Sequence, residues 1–276
     1  LGELAIPECE VMTAAGICIS GMTALKHGYM HVATGAGRNA VAVGSELASS
    51  HTRSEFMVPL INAAEIEALE KRPINAFDAD FLRWMLSDGA GAVHISPDRY
   101  PGRIALRIDW IDSISLAGQL ETCMYAGGVK GPDGRVTGWR NTERIPAEAR
   151  PWLMSIRQDI KLLDREIVAS MGKVLKRVIA RRGLKPDAID WFLPHYSSAY
   201  FRPKFYEEMA RIGFEIPEEK WFTNLSEKGN TGSAAIYIIL AELFHSGRLT
   251  PGDRLLCFIP ESGRFAHCFL HLTVIE

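Results

Sequence analysis

The chain has 276 residues, of which 47% are hydrophobic and 23% charged, and its formal net charge is −2. That length supports a large buried core or two packed halves. The near-neutral balance excludes the basic surface that nucleic acid or an anionic membrane would select, and no apolar run is long enough to span a bilayer. The five cysteines are Cys9, Cys18, Cys123, Cys257 and Cys268. Their number is odd and no CxxC pair exists, which argues against a disulfide framework and against a zinc or other metal site. Lone cysteines fit a reducing, cytoplasmic setting.

Residues 10–17 (EVMTAAGI) read as a short strand that delivers Cys18. A helical pattern follows over about 18–34, with Ile19, Met22, Leu25, Tyr29 and Met30 on related faces, and Gly35 and Gly37 end it. Residues 39–44 predict a buried strand. The polar stretch 50–83 contains a helical segment (NAAEIEALEKR) and two prolines, and reads as an insertion or lid. Strands are expected within 87–96 and 105–114. Residues 123–150 are rich in Gly, Pro and charge and read as a long loop of the kind that often carries function. A long helix over about 156–182 closes at Gly183, ahead of Pro186. The strand 188–195 ends at His195, and a helix spans about 199–211. The last elements are a buried helix (232–246), a strand (254–259), a tight turn and a strand (265–274).

Strands alternating with helices predict a layered α/β fold. Helices 18–34 and 232–246 both begin with small residues, are apolar on most faces and lead into strands. A helix apolar all round is a buried one, so the pattern points to two copies of one unit. The working boundary places 1–104 in the first half and 105–276 in the second.

Three residues stand where chemistry is feasible. Cys18 lies at a strand-to-helix junction among small neighbours, where the helix N-terminus favours a thiolate with a lowered pKa. The alternative is a small buried side chain. His195 ends the FLPH strand, and strand ends are where α/β folds place reactive groups, though a structural His fits the same position. Asn230, in EKGNTGSAA, is either a helix cap or a donor to a developing oxyanion. The SGRF turn (262–265) is an ordinary hairpin or a source of backbone N–H groups. DGAGA (88–92) matches neither phosphate-loop pattern. His27 and His31 lack a further ligand, and the basic cluster from Lys173 to Arg182 reads as a solvated helix end.

Taken together, AAGICISGMTAL, the run from Gly35 through VAVGSE, SDGAGA, DWFLPH, KGNTGSAA and SGRF resemble, in order and spacing, segments of the β-ketoacyl-acyl carrier protein synthase III group of the thiolase superfamily. The resemblance covers most of the chain except 50–83 and 123–150. It implies a five-layer α-β-α-β-α fold from two duplicated halves, with a further N-terminal portion expected ahead of Leu1. It also implies an acyltransferase that uses no cofactor, takes acyl-CoA or acyl-carrier-protein substrates, docks an acyl carrier protein and forms a homodimer. Carried over by position, Cys18 is the acylated nucleophile, and His195 and Asn230 bind the second substrate's thioester carbonyl. The N–H groups of Cys18 and Gly263 form the oxyanion hole. The implied reaction joins a Cys-bound acyl group to a carrier-bound malonyl or β-ketoacyl thioester, in fatty-acid-like or polyketide biosynthesis. The rivals are acyl transfer to an alcohol or amine, and a non-catalytic partner subunit. Tyr196, Ser198, Tyr200 and Arg264 depart from the family pattern, with Arg202 two residues beyond Tyr200; this points to a specialised-metabolism branch with a remodelled surface, on which Tyr196, Ser198, Arg202 and Arg264 are the carrier- or substrate-binding candidates.

Overall fold

The computed structural model describes residues 8–53, 81–99, 101–145, 147 and 153–276. The central sheet has the order β3-β10-β9-β8, formed by β3 (Ala105–Ser115), β8 (Trp191–Pro194), β9 (Arg254–Glu261) and β10 (Ala266–Ile275). β10 runs antiparallel to both β3 and β9, and β8 pairs parallel with β9.

β9 is buried on both faces, which its near-continuous apolar sequence requires. The two-residue period of a strand sends alternate side chains to opposite layers. Leu256 and Phe258 join a core with α2 (Ile160–Arg182) and α3 (Phe201–Arg211). Leu255, Cys257 and Ile259 join a second core with α1 (Ser20–Ala33) and α5 (Ala235–His245). A four-residue helix, α4 (Leu225–Lys228), precedes α5.

Beyond α1 and α5 lies an antiparallel pair, β1 (Ala40–Glu46) and β2 (Gly89–Ile95). The described layers therefore run helix, sheet, helix, sheet. The duplication is visible in this arrangement: α1 leads into the antiparallel pair β1–β2, and α5 into the antiparallel pair β9–β10.

Glycines allow the close approach of these layers. A Cβ at Gly91 would lie 2.6 Å from Tyr237 Cβ, and one at Gly44 would lie 2.4 Å from the Ser233 carbonyl oxygen. The glycines of VAVGSE and DGAGA are thus seats for α5. The long helix α2 ends as its sequence dictates. Asp159 Oδ1 accepts from the Leu162 N–H at 3.0 Å, and Gly183 (φ 63°) closes the C-terminus. Its basic end is partly spoken for: Arg182 makes a two-pronged contact with Asp112 at 2.8 Å for each prong, and Arg181 reaches the same carboxylate at 3.3 Å.

Two expectations need correction. Residues 10–15 are not assigned to a strand, because no described strand pairs with them. The stretch 123–150 is more than a loop. It begins with β4 (Met124–Tyr125), which pairs with β7 (Arg157–Gln158), and it holds the small hairpin of β5 (Gly128–Lys130) and β6 (Val136–Gly138). The helical segment 62–72 of the expected insertion lies outside the described residues.

Candidate active site

The chain brings Cys18, His195 and Asn230 to one pocket. Cys18 is carried on the turn that starts α1, His195 follows the last residue of β8, and Asn230 stands in the loop between α4 and α5. The loop and α1 are locked together. The Tyr237 hydroxyl donates to the Gly21 carbonyl at 2.6 Å, and a Cβ at Gly21 would sit 2.2 Å from the Ser233 carbonyl oxygen. Glu46, at the end of β1, accepts from the Ser233 N–H at 3.2 Å and so ties the same loop to the first half.

Asn230 is held in one orientation. Its side-chain oxygen accepts from the Gly232 N–H at 3.0 Å, and its backbone carbonyl accepts from the Ser87 N–H at 2.8 Å. With the oxygen engaged, the amide N–H₂ is the end free to serve a ligand. His195 is fixed through its backbone, whose N–H donates to the Phe258 carbonyl at 2.8 Å. Its ring is buried, and burial lowers its pKa to about 4. The imidazole is therefore neutral near pH 7.

Cys18 departs from expectation. Burial first, then the carboxylates of Glu261 and Glu46, push the thiol well above its usual range, with its own N–H working in the opposite direction. The α1 N-terminus does not offset this, because Glu261 Oε2 already accepts from the N–H groups of Ile17 and Ile19, at 3.1 and 3.2 Å. The resting Cys18 side chain is a thiol. Gly263 is buried, and its carbonyl accepts from the Cys123 N–H at 2.9 Å. The next residue but one, Phe265, holds a left-handed φ of 52°, an uncommon conformation for a bulky residue that shapes this turn.

The remaining pocket walls are largely apolar. Leu163 and Ile167 come from α2, Phe201 and Phe205 from α3, and Met85, Leu86 and Met124 from the rim. Gln158 and Ser262 add polar atoms, with the Ser262 hydroxyl 3.4 Å from Gln158 Oε1. The enclosed space is narrow, about 30 Å³, and opens to solvent. An apolar wall beside a thiol suits an acyl chain.

The residues flagged as departures lie elsewhere. Tyr196 is buried in the core beneath α3, and Arg202 pairs with Glu218 at 2.8 Å and stacks over Trp221. Ser198 Oγ accepts from the Tyr200 N–H at 3.3 Å, and its neighbour Ser197 lines the pocket instead. Arg264 is exposed. The sequence reading missed Glu261, Gln158 and Ser197. A carboxylate ending an otherwise apolar strand was the one available signal for Glu261.

Among the described residues, no His/Cys/Asp/Glu cluster could hold a metal ion, and no helix is long and apolar enough to cross a membrane.

This layered architecture defines a thiolase-fold protein. Cerulenin-bound OleA of Xanthomonas campestris superposes with a TM-score of 0.72 at 19% identity, covering 99% of this chain and 67% of that one. AbyA1, a tetronic acid condensing enzyme, gives a TM-score of 0.68 at 18% identity over 99% and 68%. Within that fold, residues 179–263 match the family described as 3-oxoacyl-[acyl-carrier-protein] synthase III C terminal. The β-ketoacyl-[acyl-carrier-protein] synthase III of Chlorobium phaeovibrioides is 26% identical over 174 residues, 62% of this chain. Over these segments the chain is similar to β-ketoacyl-acyl carrier protein synthase III, and it spans about half (47%) of that relative's length.

Proposed function

We propose that the protein is a condensing enzyme that loads an acyl group onto Cys18 and joins it to a carrier-bound malonyl or β-ketoacyl thioester. The observation that carries this reading is the convergence of Cys18, His195 and Asn230 on one largely apolar pocket. In the first half-reaction the Cys18 sulfur bonds to the donor's carbonyl carbon, and the donor's C–S bond breaks. The thiol proton ends on the departing thiol. Neither a free thiolate nor an imidazolium is favoured in this site, so the proton moves as the sulfur attacks, with neutral His195 placed to relay it. The N–H groups of Cys18 and Gly263 would receive the oxyanion.

In the second half-reaction, His195 and the Asn230 amide donate to the thioester oxygen of the incoming group. This favours its enolate, which forms as a malonyl group loses CO2 or as a β-ketoacyl group gives up its α-proton; the enolate carbon bonds to the acyl carbonyl carbon, the acyl C–S bond breaks, and the Cys18 sulfur takes up a proton to return to the thiol. Acyl-CoA and acyl carrier protein are the corresponding donors and partners. A homodimer in the cytoplasm is the expected state. The departures at Tyr196, Ser198, Tyr200 and Arg264 favour a specialised-metabolism branch.

Intact mass after incubation with a panel of acyl-CoA and carrier-bound donors, beside Cys18→Ala, tests the reading. An acyl-sized gain lost in the variant supports it. No gain with any donor transfers the assignment to a non-catalytic partner subunit.

A further inference from the structure

We propose that Glu261 is a positioning residue that clamps the nucleophile turn and thereby sets the oxyanion hole. The inference rests on Cys18 being the acylated nucleophile. One carboxylate oxygen, Oε2, accepts from the N–H groups of Ile17 and Ile19 at 3.1 and 3.2 Å, across 244 and 242 residues of sequence. The residue between those two amides is Cys18. With both flanking N–H groups engaged, the Cys18 N–H is the one left for a ligand.

The clamp also ties the two oxyanion donors together. Glu261 ends β9 two residues before Gly263, which lies against the nucleophile segment: a Cβ there would sit 2.7 Å from Ile17 Cδ1. Gly16, at φ 153°, brings the nucleophile segment close to the carboxylate, with its Cβ position 3.5 Å from Glu261 Oε2. One side chain therefore fixes the nucleophile turn from the first half against the Gly263 turn from the second.

The clamp has an opposing electrostatic effect. Glu261 disfavours the Cys18 thiolate, so its geometry assists acyl transfer while its charge restrains thiol ionisation. Substitutions separate the two effects. In Glu261→Gln the amide oxygen can still accept from both N–H groups while the charge is gone. Glu261→Ala removes both. Glu261→Asp keeps the charge but shortens the reach, and it carries the test should the Ala variant not fold.

Three readouts on the full chain decide the matter: amide hydrogen exchange of the peptide containing residues 17–19, the pH profile of Cys18 alkylation by iodoacetamide, and acylation by p-nitrophenyl acetate. Alkylation follows ionisation of the thiol and needs no oxyanion hole, whereas acylation, in which the proton leaves as the sulfur attacks, needs the oxyanion hole. In Glu261→Gln, exchange stays slow and alkylation at neutral pH rises, about tenfold for each unit the thiol pKa falls. In Glu261→Ala, exchange and alkylation both speed up while acylation falls by about 10²-fold, the scale of a lost oxyanion donor. In Glu261→Asp, exchange speeds up and acylation falls without a gain in alkylation.

Wild-type exchange together with a wild-type acylation-to-alkylation ratio in the Ala or Asp variant overturns the proposal. If no donor acylates the wild-type protein, the condensing-enzyme reading fails, and exchange and alkylation still decide whether the clamp exists.

Discussion

Lowering the pH sets the imidazole of His195 against its own burial. The residue is 3% exposed, and burial holds its pKa near 4 against an ordinary 6.5. Above pH 6.5 both the native and the unfolded chain carry it neutral, and it makes stability no steeper or flatter. As the pH falls through 6.5 the unfolded chain gains a proton that the native chain refuses. Stability is then lost progressively until about pH 4, where the native imidazole also protonates. At roughly 1.4 kcal/mol per pH unit, the interval between 6.5 and about 4 costs about 3 kcal/mol. His267, buried and held down to about 3, acts in the same direction, so the wild-type protein should be markedly acid-sensitive. His195→Gln removes only the first contribution. Urea midpoints of wild type and variant, measured from pH 7.5 to 4.5, give the comparison. The loss over that range should be smaller in the variant by about 2–3 kcal/mol. Parallel curves would show that the native imidazole protonates at its ordinary pKa, and would refute the lowering of the His195 pKa by burial.

Asn230→Ala should leave acylation of Cys18 largely intact and slow condensation by about 10²-fold, the scale of a single lost oxyanion donor. Single-turnover mass spectrometry separates the two steps, and loss of acylation in a folded variant would show that the roles are divided differently. Gly91→Leu should be overpacked, because its Cβ position lies 2.6 Å from Tyr237 Cβ. A destabilisation of at least about 1–3 kcal/mol is expected, and an unchanged thermal midpoint would mean that β2 does not seat on α5.

The layered fold was legible because its signals are local. The apolar helix before β9, the Gly183 stop and the near-continuous apolar run of β9 each dictate their own element. Cys18, His195 and Asn230 were legible only in combination, since each alone has a structural reading as good as its chemical one. The state of the thiol was not legible. A helix N-terminus promised a lowered pKa, but the groups that oppose it, Glu261 and Glu46, come from strand ends distant in sequence. The β5–β6 hairpin was hidden in a composition that otherwise marks a loop. Tyr196 and Arg202 stood out as binding candidates, yet Tyr196 is buried in the core, and Arg202 pairs with Glu218 and stacks over Trp221.

On the proposed roles, the placement of Cys18, His195, Asn230 and Gly263 lets such a site change substrates without losing its chemistry. Cys18 and Asn230 stand at the leading ends of α1 and α5, and His195 and Gly263 follow β8 and β9. Their geometry is set where the layers touch without intervening side chains, at Gly21, Gly44 and Gly91. A substitution there moves backbone, and with it the nucleophile. The pocket walls obey a different constraint. Leu163, Ile167, Phe201 and Phe205 belong to helices on the other face of the central sheet, and Met124 and Gln158 to the base of the 123–158 excursion. Apolar side chains on those elements can be exchanged for others of similar volume at modest cost, with none of the hydrogen bonds at Asn230, Ile17 or Ile19 disturbed. Chain-length preference should therefore follow α2, α3 and the excursion, while the capacity to carry an acyl group should follow the contacts between α1, α5 and the turn after β9.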